Sequence, residues 1–229
     1  MEQTIDFVGR ETSEGNLGPI LINPFRLLIS GPSQSGKTHL THKLLQTPDI
    51  FSTPFHCICW HYGEYQREKF DLIRKTVPNI KFYPGLPTDI KSHDSNCLLI
   101  LDDLVNVSAD SEDILELFIK QSHHKQKSVA LMTQNPFFGG KYFRTISLNS
   151  NYICIFKAPR DSSQIQYLAR QIYPNNPKFI QKAYELVTKN AAHSYLWLDL
   201  TQQMPDIARV WTDITSSAPM LLLPDGKAP

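Results

Sequence analysis

The sequence lacks the features that mark membrane and secreted proteins. No apolar run approaches the roughly 18 residues that a membrane-spanning helix needs. The first residues lack the basic and then apolar pattern of a secretory signal peptide, and read MEQTIDFVGRETSEGN. We therefore expect a soluble, intracellular protein that makes no use of a membrane.

Cysteine is scarce, and its spacing fits no known metal or redox motif. The four cysteines are Cys57, Cys59, Cys97 and Cys154, and they form neither a CxxC pair nor a zinc-ligand pattern. They lie mostly within apolar runs, where a free cysteine behaves as a small hydrophobic residue. We expect four core thiols in a reducing compartment rather than a metal site or a disulfide.

Charge of either sign is also not in excess. The chain has 23 basic and 22 acidic residues, which gives a formal net charge of +1. No global field therefore attracts nucleic acid, and contact with DNA would need a local patch or charges pooled by several subunits. The length of 229 residues suits one large α/β domain or two small domains, and the 41% hydrophobic content is that of a globular protein.

Apolar runs alternate with amphipathic segments along most of the chain. We predict strands at 25–30, 55–62, 80–83, 97–105, 128–135, 151–159, 194–200 and 208–214, and helices at 37–46, 64–76, 111–121, 162–172 and 177–190. This alternation predicts an α/β fold with a mostly parallel sheet flanked by helices, and functional loops at the carboxyl ends of the strands.

The expected domain organisation is a flexible lead at 1–20, a single domain at 21–214 and a flexible tail at 215–229. The tail contains an apolar segment without periodicity, MLLLP at 220–224. A docking peptide, a covered sheet edge and disorder remain open as explanations of that segment.

The first chemical motif is GPSQSGKT at 31–38, which fits the phosphate-loop pattern GxxxxGK[ST] in full. It follows a predicted strand and begins a predicted helix, so backbone N–H groups and the helix N-terminus would face a phosphate. Lys37 would reach the β- and γ-phosphates, and the Thr38 hydroxyl would complete a Mg²⁺ shell. The predicted nucleotide-binding residues are Gly31, Pro32, Ser33, Gln34, Ser35, Gly36, Lys37, Thr38 and His39.

The second motif is LLILDD, an apolar strand that ends in Asp102 and Asp103. Asp102 is placed to hold Mg²⁺ beside Thr38. Asp103 would activate the attacking water, although it could instead cap the following segment.

The next predicted strand ends in polar residues. We choose Gln134 there as the residue that senses the γ-phosphate or positions the water, with Asn135 second and an ordinary polar strand end as the alternative. Transferred phosphate also attracts an arginine, for which Arg144, Arg160 and Arg170 are candidates that spacing alone does not separate.

These residues resemble those of the genome-packaging ATPases of large double-stranded DNA viruses and of virus-like Maverick (Polinton) transposons, in the FtsK–HerA group of ring-forming motors. The resemblance rests on GPSQSGKT, LLILDD, ALMTQN and the run RTISLNSNYICIFKAPRD, and it covers roughly residues 25–160. It implies a P-loop NTPase of the additional-strand type, with Asp103 as the water-activating acid and Gln134 as the sensor.

The resemblance also implies cofactors and partners. These are ATP with Mg²⁺, a homo-oligomeric ring, double-stranded DNA drawn through a central channel, and capsid or other viral proteins at a nuclear or cytoplasmic assembly site. The chain departs from many relatives in having Asp102-Asp103 instead of Asp-Glu. It also has Lys125 where some relatives have arginine, which favours Arg144 as the residue that acts on a neighbouring subunit.

Other classes of function remain open. A metabolic P-loop kinase would need an acceptor site after the second strand, where this chain has HYGEYQRE. A regulatory GTPase would need a guanine-reading NKxD-type motif after a late strand, and the sequence has none. A nucleotide-binding structural protein that hydrolyses little is compatible with the Asp-Asp pair.

Overall fold

The structure is a computed structural model that describes residues 6–8, 19–87, 96–104, 118–119, 127–134, 143–159, 163–189 and 192–224. Its ten strands are β1 Asp6–Val8, β2 Arg26–Ser30, β3 Cys57–Tyr62, β4 Ile80–Pro84, β5 Cys97–Asp102, β6 Ser128–Thr133, β7 Tyr152–Phe156, β8 Tyr195–Asp199, β9 Val210–Thr212 and β10 Met220–Leu223. All ten belong to one sheet with the order β1-β10-β9-β8-β7-β2-β6-β5-β3-β4.

Helices connect many of the strands, and four of the five begin within three residues of a predicted start, whereas the helix at Phe143–Leu148 was not predicted. They are α1 Lys37–Leu45, α2 Arg67–Thr76, α3 Phe143–Leu148, α4 Ser163–Ile172 and α5 Pro177–Thr188, with short 3-10 helices at Pro48–Ile50 and Asp206–Ala208. In α2, Glu68 lies in the first turn, and Arg74 and Lys75 lie in the last, so the charges oppose the helix dipole. The predicted helix at 111–121 lies almost entirely outside the described residues.

Six neighbouring strands, β7-β2-β6-β5-β3-β4, run parallel. Their carboxyl ends therefore meet at one edge of the sheet, which we call the loop edge. Strand β6 lies between β2 and β5, so one additional strand separates the phosphate-loop strand from the acidic strand. The prediction of an additional-strand P-loop fold with a mostly parallel sheet and flanking helices is confirmed.

The remaining strands extend this sheet in antiparallel fashion, from β8 through β9 and β10 to β1. The Met220–Leu223 segment is thus a strand and not part of a flexible tail, and Asp6–Val8 within the expected lead pairs with it. Leu221 and Leu223 join the hydrophobic core on one face of the sheet, while Leu222 joins the core on the other. Burial on both faces explains why the run shows no alternation.

Helices cover both faces of the sheet. On one face, Leu40 and Leu44 of α1 and Phe70 of α2 pack against the sheet. On the other, Leu168 of α4 and Ile180 of α5 do the same. No helix in the described part of the chain is long and apolar enough to cross a membrane.

The cysteine prediction is wrong for one pair. Cys57 of β3 and Cys97 of β5 are partners in the parallel register, their Cα atoms are 4.9 Å apart, and they form a disulfide. Cys59 and Cys154 are buried free thiols, and burial raises the pKa of each. The two cysteines are 40 positions apart and meet because of the register between β3 and β5, which their spacing in the sequence does not reveal.

Candidate functional site: a phosphate loop between a polar cleft and an apolar cavity

The phosphate loop leaves β2 at the loop edge and needs both of its glycines. A Cβ on Gly31 would lie 2.6 Å from Cβ of Phe156 and 2.7 Å from Oγ of Ser35. Gly36 has a φ of 110°, a left-handed conformation that favours glycine. Close packing therefore requires glycine at position 31, and the left-handed backbone favours glycine at position 36.

The first turn of α1 is open to a ligand. Gly36 is its N-cap residue, and no side chain caps the helix there. The first N–H groups of a helix have no partner within it, so they form an anion-binding end. Oγ of Ser35 is buried and has no hydrogen-bond partner within the part of the chain that the structure describes.

The Lys37 side chain folds back onto the start of the phosphate loop. Its Nζ donates hydrogen bonds to the carbonyl oxygens of Gly31 at 2.6 Å and Pro32 at 3.0 Å. Burial lowers the pKa of the Lys37 ammonium, and the carboxylates of Asp103 and Asp102 act in the opposite direction. The ammonium group therefore lies within the electrostatic reach of both acids.

Asp102 ends β5 and is almost fully buried, with 8% of its surface exposed. Burial raises the pKa of this carboxyl to about 6, while a hydrogen bond from Nε1 of Trp60 to Oδ2, at 3.1 Å, and the charge of Lys37 lower it. The nearby charge of Asp103 raises it further. A buried carboxylate held by one indole is suited to a cation that would compensate its charge.

Asp103 has a left-handed backbone, with a φ of 53°, which turns it out of the strand. Nε2 of Gln134 donates a hydrogen bond to Oδ2 of Asp103 at 2.9 Å. The structure thus brings together the two residues that the sequence assigned to water activation and phosphate sensing. Capping, the alternative for Asp103, concerns a segment outside the described residues.

A cleft of about 670 Å³ joins these groups. Residues 33–39 of the loop line it, together with Asp102, Asp103 and Gln134. Thr38 and Asp102 both face it, so a hydroxyl and a carboxylate are available to Mg²⁺. Among the described residues no three metal-ligating side chains cluster, which is compatible with an ion held largely by nucleotide phosphates and water.

The cleft also contains residues to which the sequence analysis gave no role in hydrolysis, two of them in the run HYGEYQRE. Glu64, Gln66 and Lys69 line it from the segment that joins β3 to α2 and from α2 itself. The backbone of this segment packs closely against that of the acids: a Cβ on Gly63 would lie 2.9 Å from the carbonyl oxygen of Asp103. The signal available in the sequence was the polar run after a buried strand.

Another missed residue contacts the phosphate loop from the opposite side. Nδ1 of His193, just before β8, lies 3.1 Å from the carbonyl oxygen of Ser35. The two residues are 158 positions apart, and no motif connects them.

The two arginine candidates within the described residues are not brought to the cleft. Arg144 is exposed on α3 and Arg170 is exposed on α4, and neither lines the cleft. Arg160, Lys125 and Asn135 lie outside the described residues. The role of Arg144 on a neighbouring subunit stays a prediction.

No family model and no curated protein matches this chain. Among solved structures, the chain is similar to the genome packaging NTPase B204 of Sulfolobus turreted icosahedral virus 2. The form in complex with ATP-gammaS gives a TM-score of 0.51 at 16% identity, over 80% of this chain and 95% of that one. The form with sulfate gives 0.48 at 14% identity over the same shares. A KaiC-like protein from Pyrococcus horikoshii gives 0.45 at 11% identity, over 88% of this chain and 91% of that one. The match with a TM-score of 0.51, at 16% identity, shows a likeness in fold alone.

Proposed function

We propose that this protein hydrolyses ATP with Mg²⁺ and uses the energy to move double-stranded DNA, as a packaging motor of a virus or virus-like transposon. The observation that carries the hydrolytic part is the shared cleft. It presents the open end of α1, Lys37, Asp102 and the Asp103–Gln134 pair to one ligand. The motor part is supported by the resemblance of the motifs to packaging ATPases, and the likeness in fold to B204 is compatible with it.

The residues divide the reaction between them. The loop N–H groups and Lys37 would bind and orient the phosphates, and Thr38 and Asp102 would hold Mg²⁺, which neutralises charge on the transferred phosphoryl group. Asp103 would take a proton from water as the water oxygen attacks the γ-phosphorus and the bond to the β-phosphate oxygen breaks. The Gln134 amide holds Oδ2 of Asp103, so the orientation of the base is fixed before the substrate arrives.

The motor needs a ring. A subunit that leaves Arg144 exposed and away from its own cleft could present it to the cleft of a neighbour. When Arg144→Ala subunits are mixed with unmodified protein, we expect ATP hydrolysis to fall by more than the fraction of mutant subunits. A linear fall of activity with the mutant fraction would count against this role.

A phosphoryl-transfer enzyme is the second candidate, and one observation favours it. The cleft continues past the acids to Glu64, Gln66 and Lys69, polar groups that could hold a small acceptor. A kinase would release ADP without an equal amount of inorganic phosphate, whereas a hydrolase releases the two in equal amounts.

The deciding experiment measures ADP and phosphate release with and without duplex DNA. We expect equal release, stimulation by DNA, and loss of turnover in Lys37→Ala and Asp102→Ala. ADP release without phosphate when a small acceptor is present would overturn the motor and support the kinase. Slow turnover that DNA does not change would instead support a nucleotide-binding structural protein.

A further inference from the structure

A second cavity lies at the loop edge on the side of β2 opposite the acids. It has a volume of about 590 Å³, within the range of ligand sites. Leu186 and Val187 near the end of α5 and Met220 at the start of β10 form its apolar walls, and His193, Thr212 and Asp213 also line it.

The cavity adjoins the phosphate loop through His193. This residue lines the cavity and also contacts the Ser35 carbonyl oxygen, and a Cβ on Gly36 would lie 3.5 Å from its Cβ. One side chain therefore forms a boundary shared by the loop and the cavity.

The direction of a bound nucleotide follows from where the charges lie. Lys37, Asp102, Asp103 and Gln134 mark the end of the cleft where the terminal phosphate reacts, on the side of β6 and β5. A nucleotide held in this loop must extend its sugar and base away from that end. The opposite side of β2 is the side of β7, β8, β9 and β10, where the apolar cavity opens.

We propose that this cavity binds the nucleobase and is the base site of the protein. Leu186 and Val187 pack against the ring, and the Asp213 carboxylate accepts a hydrogen bond from the amino group of adenine. The proposal rests on nucleotide binding at the phosphate loop. An apolar slot with few polar groups suits a flat aromatic ring, and an exposed carboxylate at its rim can read an exocyclic amine. The part of the cleft lined by Glu64, Lys69 and Leu72 is a poorer site for the base, because it lies on the terminal-phosphate side, beyond the acidic strand.

The test compares ATP with inorganic tripolyphosphate, which has the phosphates and no base. Leu186 is 44% exposed, so Leu186→Glu places a charge in the cavity without opening the core. We expect this variant to bind ATP about tenfold more weakly or worse. Tripolyphosphate should bind it within about twofold of the unmodified protein. Leu148→Glu, at a leucine 56% exposed on α3, is the matched control and should change neither affinity.

Asp213→Asn is the second variant, at an exposed position with a φ of 51° that asparagine tolerates. It should weaken ATP binding several-fold and leave unchanged the binding of purine riboside triphosphate, which lacks the amino group. Equal weakening of ATP and tripolyphosphate in Leu186→Glu, or no weakening of ATP in either variant, would overturn the base site. Failure of the unmodified protein to bind both ATP and tripolyphosphate would instead overturn the proposed nucleotide function.

Discussion

The loop edge has opposite character on the two sides of β2. On the parallel side, the ends of β5 and β6 supply carboxylates and an amide that converge on the phosphate loop. On the antiparallel side, the ends of β8, β9 and β10 border a cavity with mostly aliphatic walls. The loop lies between a charged environment and an apolar one, which matches the two ends of a nucleotide.

Two buried tryptophans, Trp60 and Trp197, one on each side of β2, differ in their hydrogen bonding. Trp60 of β3 donates its Nε1 hydrogen to Asp102, whereas Nε1 of Trp197 in β8 is buried and has no hydrogen-bond partner among the described residues. The same side chain therefore supports a charged site on one side and contributes packing alone on the other. Substitutions on the parallel side should change chemistry, and those on the antiparallel side should change stability or base binding.

The largest expected effect is on the parallel side, at Asp103. Asp103→Asn keeps the shape of the side chain and removes the base, so hydrolysis should fall by about 10² to 10⁴-fold while ATP binding persists. Phosphate release and the fluorescence of a labelled ATP analogue measure the two properties separately.

Glu64→Gln is the matched control, since Glu64 is a further carboxylate that lines the cleft, just after β3, and has no assigned part in hydrolysis. It should leave hydrolysis within a few-fold of the unmodified rate. If Glu64→Gln abolishes hydrolysis and Asp103→Asn does not, the assignment of the base is reversed.

The next effect tests the antiparallel side, where Leu222 of β10 is fully buried. Leu222→Ala should lower the free energy of unfolding by about 2 to 5 kcal/mol, because it leaves a cavity in the core beside the sheet. Urea denaturation measures the change, and Leu148→Ala at an exposed leucine should cost less than about 0.5 kcal/mol. A flexible tail would predict no difference between the two variants.

The features that the sequence predicted correctly are those whose residues lie close together along the chain. The phosphate loop, the acidic pair and Gln134 each come at the carboxyl end of a predicted strand. In a parallel sheet these ends meet at one edge, so the sequence was enough to predict that the three lie together. Arg144 does not line the cleft of its own subunit, and its expected role on a neighbouring subunit stays a prediction, because no local pattern specifies how subunits meet.

The features that sequence missed depend on contacts between distant residues. Trp60 and Asp102 are 42 positions apart and meet only because β3 and β5 are neighbours in the sheet. The same register brings Cys57 to Cys97. The strand at Met220–Leu223 was left undecided between three explanations for another reason: burial on both faces removes the alternation that usually marks a strand.

A smaller effect concerns the charge of Asp102 in the absence of nucleotide. Because burial raises the pKa of this carboxyl from 3.8 to about 6, protonation favours the folded state. This stabilisation is complete below the unfolded pKa and is lost as the pH rises through about 6. Asp102→Asn mimics the protonated form, so it should be more stable than the unmodified protein by roughly 3 kcal/mol at pH 8.

The two proteins should be nearly equal in stability at pH 3, where Asp102 is protonated in both the folded and the unfolded state. Denaturation curves of both proteins over this pH range, without Mg²⁺ or nucleotide, measure the difference. A difference that does not vary with pH would show that Asp102 carries no raised pKa.

The smallest effect returns to the pair of tryptophans. The hydrogen bond from Trp60 lowers the pKa of Asp102, so Trp60→Phe should raise that pKa above about 6. The acidic limb of the pH profile of kcat/KM for ATP hydrolysis should then move up by up to about one pH unit. Trp197→Phe removes an equally buried indole without touching a carboxylate. It should lower stability and leave the pH profile in place. Because both variants lose similar packing, a shift common to both would mean that the indole acts on Asp102 through general loosening of the sheet rather than through its hydrogen bond.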